Sequence, residues 1–246
     1  MKGVVLAGGT GTRLWPLTRV TNKHLLPVGR MPMIHHPVLK LREAGIREIL
    51  VVTGREHMGD VVGLLGSGAE LGLAFSFRVQ DEAGGIAQAL ALAEGFCGGD
   101  PLVAILGDNV FEDSLAPHVD AFAANPSGAR VLLKRVPDAQ RFGVATLDAD
   151  GERVVRIAEK PASPESDLAV TGVYLFDGQV FDIIRDQTPS SRGELEITDV
   201  NNAYIARGQL GFGEFAGWWS DAGTPSSYAR ANQLAAAIEP PPELRR

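Results

Sequence analysis

The chain has almost no cysteine and no excess of basic residues. Among its 246 residues Cys97 is the single cysteine, which excludes an internal disulfide and a cysteine-ligated zinc site. A lone thiol is typical of a reducing compartment, and its expected place is the core, as a small apolar side chain. Asp and Glu number 30 against 23 Lys and Arg, for a net charge of −7, which argues against a nucleic-acid-binding surface.

Long apolar runs are also missing. No stretch approaches the roughly 18 uninterrupted apolar residues that a membrane-spanning helix needs, and the apolar run at 3–7 ends in glycines too soon for a signal peptide. We therefore expect a cytoplasmic protein without a membrane partner. Hydrophobic residues make up 45% and charged residues 22% of the chain, values typical of a globular domain.

Apolar, β-branched runs alternate with segments of helical spacing in the first half of the chain. The predicted strands are 3–6, 49–53, 75–79 and 102–106, and the predicted helices are 34–44, 57–65, 86–96 and 115–124. The strands read as buried parallel strands joined by right-handed helical crossovers. This pattern predicts an α/β fold, a Rossmann-like three-layer αβα sandwich around a mostly parallel central sheet.

The second half is richer in strands. We predict strands at 130–136, 144–147, 154–159, 169–176 and 210–214, a hairpin turn at 148–151, and helices at 196–207 and 226–238. A β-rich lobe is therefore expected in this half. We expect one domain over residues 1–238, with halves of about 1–125 and 126–238, followed by a flexible proline-rich tail at 239–246.

A glycine-rich loop directly follows the first predicted strand, and residues 6–18 read LAGGTGTRLWPLT. Ligands of open α/β sheets bind at the carboxyl ends of strands, where closely spaced glycines let backbone N–H groups surround phosphate oxygens. The loop is not a dinucleotide fingerprint, because Leu14 stands where the third glycine belongs, and it lacks the Gly-Lys-Ser/Thr of a P-loop. Two cations, Arg13 and Lys23, suit charge neutralisation in phosphoryl or nucleotidyl transfer.

Two aspartates follow apolar segments. Asp108 comes after the predicted strand 102–106, at the same sheet edge as the glycine loop, and Asp221 lies in the sequence WWSDAGT at 218–224. Each alone is as well explained as a turn or helix cap. Together they suit Mg²⁺, which proteins hold with one or two carboxylates plus phosphate and water oxygens. The adjacent His35 and His36 point different ways on a helix, which argues against a shared metal.

Three further polar side chains carry groups that are suited to recognising a ligand. The Gln80 amide, with one donor and one acceptor group, complements the edge that thymine and uracil share. Glu159 offers two acceptors for sugar hydroxyls, and Lys160 is a compact cation for a sugar phosphate. Each also has an ordinary alternative, a surface glutamine or a solvated strand end.

The motifs GG-x-GTRL-x-PLT at 8–18 and K-x-LLPV at 23–28 resemble the signature of the sugar-1-phosphate nucleotidyltransferases. The resemblance runs from residue 2 to about 237 and is strongest to the glucose-1-phosphate thymidylyltransferase group, in particular its short, spore-coat-polysaccharide type. It implies a polysaccharide-biosynthesis enzyme that forms dTDP-glucose and pyrophosphate from dTTP and α-D-glucose 1-phosphate by Mg²⁺-dependent in-line displacement. The first half would then bind the nucleotide, and the second half the sugar.

The resemblance also implies roles for individual residues. The implied catalytic residues are Arg13, Lys23 and Lys160, and the implied magnesium ligands are Asp108 and Asp221. The implied nucleotide-binding residues are Leu6, Gly8, Gly9, Gly11, Thr12, Arg13, Gln80 and Gly85. The implied sugar-binding residues are Gly143, Glu159, Lys160, Val170 and Tyr174. The sequence RGELEITD at 192–199 also matches the family, and we interpret it as a helix start near the sugar pocket.

Two departures and two alternatives accompany this interpretation. Phe142 stands where longer thymidylyltransferases usually have tyrosine, so a hydroxyl contact to the sugar is lost. The chain also lacks the C-terminal helices that give longer members a regulatory nucleotide site and a tetramer contact, and we expect at most a homodimer. The enzyme could instead use UTP or another sugar 1-phosphate. Alternatively, the chain could be a catalytically silent nucleotide-binding regulatory subunit.

Overall fold

The computed structural model describes residues 1–245 as a mixed α/β protein. Its strands are β1 (Lys2–Ala7), β2 (Pro27–Val28), β3 (Met31–Pro32), β4 (Glu48–Gly54), β5 (Ala74–Gln80), β6 (Leu102–Leu106), β7 (Asn109–Phe111), β8 (Ala129–Arg135), β9 (Gly143–Leu147), β10 (Val154–Glu159), β11 (Leu168–Phe176), β12 (Leu210–Glu214) and β13 (Trp219–Asp221). Its α-helices are α1 (His35–Glu43), α2 (Met58–Leu65), α3 (Ile86–Ala91), α4 (Glu94–Cys97), α5 (Ala116–Ala124), α6 (Val180–Arg185), α7 (Ile197–Ala206) and α8 (Pro225–Ala235). The predicted α/β class with a mostly parallel central sheet is confirmed.

The chain divides into two compact units, each assembled from separate stretches. Unit 1 contains Met1, Gly84–Ala104 and Pro117–Ala216, and unit 2 contains Lys2–Ala83, Ile105–Ala116 and the chain from Gly217 onwards. The expectation of one domain with consecutive halves stays a prediction. Within residues 1–245, no helix combines the length and the apolar character needed to cross a membrane.

Unit 2 is built on parallel strands. β1 pairs with β4 from Gly3 opposite Ile49 to Ala7 opposite Thr53, and β4 pairs in turn with β5. The apolar residues of β1 and β4 are buried, as their unbroken runs predicted. The prediction of full burial was wrong for β5, where exposed and half-buried residues alternate up to the buried Gln80. Among the described strands, β5 has β4 as its one neighbour and is therefore an edge strand.

Unit 1 carries the strand-rich part of the chain. β11 pairs antiparallel with both β8 and β9, β9 pairs antiparallel with β10, and β8 pairs in parallel with β12. Every residue of β11 is buried. This register places Gly143 at the start of β9 opposite both Glu159 and Val170. Three positions far apart in the sequence are therefore neighbours at one end of these strands.

Several predicted boundaries differ from the structure. The predicted helix 86–96 is two helices, because Ala93 N–H bonds to the Leu90 carbonyl three residues back and tightens the chain before α4 begins. The helix predicted at 226–238 is shorter, and it begins one residue earlier, at Pro225. The strand pairs β2–β3 and β7–β13 and the helix α6 were not predicted. Cys97 is buried, as expected.

Residues 239–245 make specific contacts within unit 2. Pro242–Leu244 form one 3₁₀ turn, and Glu243 accepts a hydrogen bond from Arg42 of α1 at 2.8 Å. Glu239 pairs with Arg30. The flexibility expected for residues 239–246 stays a prediction, and Arg246 lies outside the described residues.

Candidate active site

The glycine loop leaves β1 in unit 2 and continues into a 3₁₀ turn at Thr12–Leu14. Gly11 has φ 68°, a left-handed conformation that favours glycine, and its carbonyl accepts a hydrogen bond from the Thr18 hydroxyl at 2.9 Å. A Cβ atom on Gly8 would lie 2.1 Å from Gln80 Oε1, so the Gln80 carboxamide packs directly against the loop. The glycine loop therefore lies directly against the buried side-chain amide of Gln80.

The two predicted functional groups Lys23 and Asp108 form a buried ion pair. Lys23 Nζ donates to Asp108 Oδ2 at 2.5 Å, and the side chains are 11% and 13% exposed. Burial by itself raises the pKa of Asp108, but the Lys23 charge, with smaller contributions from His24 and Asn109, outweighs it and lowers the pKa to about 2. Asp108 is therefore ionised at neutral pH.

The short antiparallel pair of strands β7 and β13 places Asp221 close to Asp108. Asp221 lies opposite Asn109 in that ladder, and the Ala222 N–H donates to the Asp108 carbonyl at 2.9 Å. A Cβ atom on Gly223 would lie 3.1 Å from Asp221 Oδ2 and 3.5 Å from Asp108 Oδ2. Arg13 Nη2 lies 4.0 Å from the same point. Three groups that the sequence predicted separately thus surround one point.

This arrangement fits a divalent cation with a preference for oxygen. Two carboxylates face the space beside Gly223, which a side chain would fill. Among the described residues no group of three or more His, Cys, Asp or Glu side chains gathers to hold a metal. A Mg²⁺ ion there would take its remaining ligands from phosphate and water, which is its usual coordination in phosphoryl-transfer sites.

A relay of hydrogen bonds that the sequence did not predict holds Asp108 in place. The Trp219 indole N–H donates to Asn109 Oδ1 at 2.6 Å, and Asn109 Nδ2 donates to Asp108 Oδ1 at 3.1 Å. His24 is also near Asp108. Burial and the Lys23 charge lower the pKa of His24 to about 3, and the opposing effect of the Asp108 carboxylate on that pKa is smaller. The one sequence signal for this relay was the position of Asn109, directly after Asp108.

In unit 1, Glu159 is the centre of the predicted sugar-binding residues. It accepts hydrogen bonds from the Thr198 hydroxyl at 2.6 Å and from Arg192 at 3.3 Å, and Lys160 Nζ lies 3.0 Å away. Burial raises the pKa of Glu159, but the Thr198 hydrogen bond and the two cations outweigh it and lower that pKa below its usual value. Glu159 is thus a carboxylate that is held firmly by its neighbours.

Lys160 has a special backbone conformation. Its φ is 43°, and it is the single non-glycine residue with positive φ within residues 1–245. Its N–H donates to the Phe142 carbonyl at 3.0 Å, which fixes it beside the start of β9. Such conformations cost energy and cluster at functional sites. Phe142 itself carries the Arg141 guanidinium over its ring, 4.9 Å from the centroid.

The remaining predicted residues are placed as follows. Val170 lies opposite Gly143 in the β11–β9 ladder. The Tyr174 ring stacks on Phe176 in the interior of unit 1, further along β11. Leu6 is buried at the end of β1, and Gly85 precedes α3 with φ 105°. The structure thus gathers Gly143, Glu159, Lys160 and Val170 at one strand end and keeps Tyr174 in the core.

A glycine loop after the first strand of an α/β sheet, with an arginine and two aspartates around one point, has the chemistry to hold phosphate groups together with a divalent cation. The family model described as nucleotidyl transferase matches residues 2–237, and the chain belongs to that family.

Similar proteins carry a more specific name. The glucose-1-phosphate thymidylyltransferase of Neisseria meningitidis is 42% identical over 97% of this chain and 84% of its own length. The protein of that name from Actinoplanes sp. is 43% identical over 97% of this chain and 79% of its own length.

Two solved structures are also similar to this chain. A Bacillus anthracis crystal structure, described as a candidate glucose-1-phosphate thymidylyltransferase in complex with a sucrose, is 56% identical. It has a TM-score of 0.95 over 99% of this chain and 98% of its own. A UDP-glucose pyrophosphorylase complexed with UDP-glucose has a TM-score of 0.84 at 24% identity, over 97% of this chain and 99% of its own, which shows a shared fold.

Proposed function

We propose that the protein is a glucose-1-phosphate thymidylyltransferase, which joins dTTP to α-D-glucose 1-phosphate and releases pyrophosphate. The observation that carries this proposal is the convergence of Arg13, Asp108 and Asp221 around Gly223, beside the glycine loop. The relatives of that name, which match almost the whole chain, support the choice of substrates.

The proposed reaction needs charge neutralisation more than proton transfer. An oxygen of the sugar phosphate attacks the α-phosphorus of dTTP, a new P–O bond forms, and the bond to the leaving pyrophosphate breaks. The attacking phosphate is already ionised at neutral pH, so no general base is required. Arg13 and the loop N–H groups would then stabilise the charge on the leaving pyrophosphate. Lys23 is the proposed partner of the nucleotide phosphates, and Lys160 is the proposed partner of the sugar phosphate.

Asp108 and Asp221 are the proposed ligands of Mg²⁺. When bound, the ion supplies positive charge to phosphate oxygens and helps to orient them. In the structure, the Lys23 ammonium pairs with Oδ2 of the Asp108 carboxylate. The Asn109 hydrogen bond to the other oxygen fixes the plane of the carboxylate.

Substrate recognition is assigned to neutral and acidic side chains. Gln80 would bind the base edge that thymine and uracil share, with the backbone of Gly85. Glu159 would accept hydrogen bonds from sugar hydroxyls, because Thr198 and Arg192 hold it in place. We further propose a cytoplasmic homodimer, which cell fractionation and mass measurement in solution would test.

Pyrophosphate release tests the proposal. It should be measured with dTTP and with UTP, each against the 1-phosphates of glucose, galactose and mannose, in the presence of Mg²⁺. We expect the highest kcat/KM for dTTP with glucose 1-phosphate and loss of turnover when EDTA removes the metal. A higher kcat/KM for UTP or for another sugar would contradict the proposed substrates. Nucleotide binding without turnover would instead support a silent regulatory subunit.

A further inference from the structure

Gln88, a residue in α3 without an assigned role, holds the turn that contains the proposed base-binding glycine. The Gly84 N–H donates to Gln88 Oε1 at 2.9 Å. A Cβ atom on Gly84 would lie 2.2 Å from Gln88 Nε2, so the Gln88 carboxamide lies directly over Gly84. The side chain therefore fixes both the N–H direction and the position of this turn.

The other side of the same turn is held by Leu195. The Leu195 N–H donates to the Gly84 carbonyl at 2.8 Å, and the Ala87 N–H donates to the Leu195 carbonyl at 3.1 Å. A Cβ atom on Gly85 would lie 2.4 Å from that carbonyl oxygen. With φ 105° at Gly85 as well, the turn can adopt this shape only with glycine at that position. Gln88 thus holds Gly84 at its N–H, and Leu195 holds it at its carbonyl.

Leu195 belongs to the segment that also holds Glu159. One residue further on, Glu196 accepts two hydrogen bonds from Arg192 Nη2, at 2.7 and 2.8 Å, and one from the Ser190 hydroxyl at 2.9 Å. Arg192 in turn contacts Glu159 at 3.3 Å. A continuous set of contacts, all within unit 1, therefore runs from the Gly84–Gly85 turn to the carboxylate proposed to bind the sugar.

We propose that Gln88 is a positioning residue that makes nucleotide binding and sugar-phosphate binding cooperative. Gln88 holds Gly84 against Leu195, and Leu195 fixes the segment that orients Arg192 and Glu159. A base bound at the turn stabilises the arrangement in which Thr198 and Arg192 hold Glu159, and by linkage a sugar phosphate bound to Glu159 strengthens nucleotide binding by the same factor. This inference rests on the proposed function, because it takes Gly85 and Glu159 as contacts to the two substrates.

The test is a binding cycle that involves no turnover. The Kd of glucose 1-phosphate is measured by calorimetry with and without a dTTP analogue that has an α,β-methylene bridge and cannot release pyrophosphate. We expect the analogue to strengthen glucose 1-phosphate binding about fivefold or more in the wild type. In Gln88→Leu, which leaves the Gly84 N–H without its acceptor, this factor should fall towards one and analogue binding should weaken about tenfold. The Kd of glucose 1-phosphate alone should stay the same.

Three further variants separate positioning from folding. Gln88→Glu keeps an acceptor oxygen and should restore the coupling, whereas Gln88→Met should behave like Gln88→Leu. Gln233→Leu, an exposed glutamine of α8, is the matched control and should leave the coupling unchanged. Wild-type coupling in Gln88→Leu, or no coupling in a wild type that binds both ligands, overturns the proposal. If neither Gln88→Leu nor Gln88→Met folds, the proposal is also overturned, because Gln88 would then be a structural residue.

The proposed function fails in a different way. If the wild type uses UTP and not dTTP, the substrate assignment is wrong, and the same cycle with the α,β-methylene analogue of UTP still decides the role of Gln88. If the wild type binds neither nucleotide, both proposals are wrong.

Discussion

Asp108 is the residue on which the proposed chemistry depends most directly. It is ionised, buried and held by Lys23 and Asn109 at the point where a phosphate-bound cation would lie. We expect Asp108→Asn to lower kcat by at least about a hundredfold, the usual effect of losing one strong electrostatic contact in the transition state. Steady-state pyrophosphate release measures this. Near-normal turnover would remove Asp108 from the metal site, and Asp120→Asn on the exposed side of α5 is the matched control.

A substitution at Gly223 tests whether the proposed cation lies in the space between Asp108 and Asp221. A methyl group there would lie 3.1 Å from Asp221 Oδ2 and would occupy the space between the two carboxylates. Gly223→Ala should therefore raise the Mg²⁺ concentration for half-maximal activity about tenfold or more, the change that a cost of about 1.4 kcal/mol produces. The thermal midpoint should change little.

The control for that variant is another glycine. Gly63→Ala lies in α2 where an added Cβ meets nothing within 4 Å, so it should leave the magnesium dependence unchanged and stabilise the helix slightly. An unchanged magnesium dependence in Gly223→Ala would show that the cation lies elsewhere.

At this scale the sequence offers a reason to single out the charged groups but not the side chains that support them. Arg13, Lys23 and Asp108 could be predicted because each is a charged side chain in or near a loop that follows a buried strand. Trp219 and Asn109 could not be predicted as a hydrogen-bonded pair, because the contact joins segments more than a hundred residues apart. The pairing of β7 with β13 brings the two segments together.

Among the elements, α8 begins next to the proposed metal site with a complete capping box. Thr224 Oγ1 accepts from the Ser227 N–H, and Ser227 Oγ accepts from the Thr224 N–H. We expect Thr224→Ala to lower the free energy of unfolding by about 1 kcal/mol, measured by urea denaturation. Thr224→Ser keeps the hydroxyl and should stay close to the wild type. Equal losses in the two variants would show that the methyl group, rather than the cap, matters.

The elements that the sequence failed to predict are short or interrupted. β7 and β13 have three residues each, too few for an alternating pattern to be distinguished from a loop. The alanine- and leucine-rich segment at 86–96 predicted one helix because its residues are strong helix formers. The backbone breaks it at Ala93, which is fully buried, so tertiary packing overrides local propensity there.

For the whole molecule, buried histidines predict sensitivity to acid. Burial, and less so the neighbouring His36, lower the pKa of His35 to about 4, whereas the unfolded chain takes up this proton near pH 6.5. Between these values the unfolded state binds more protons, so the free energy of unfolding falls as the pH falls. His35 contributes about 1.4 kcal/mol per pH unit to this slope.

The variant His35→Gln isolates that contribution. The dependence of the free energy of unfolding on pH between 6.5 and 4, measured by chemical denaturation, should be less steep than in the wild type. Comparison at pH 8, where histidine is neutral in both states, gives the cost of packing alone. The same slope in both proteins would mean that His35 takes up its proton without unfolding.

The bond between the Trp219 indole and Asn109 has a practical consequence. The Trp219 indole is fluorescent. Two hydrogen bonds, through the side-chain amide of Asn109, connect it to the Asp108 carboxylate. Any ion or phosphate that changes the orientation of Asp108 will change the surroundings of the indole. Trp219 is therefore a built-in optical reporter of this carboxylate, and replacing Trp15 and Trp218 with phenylalanine would separate its fluorescence from theirs.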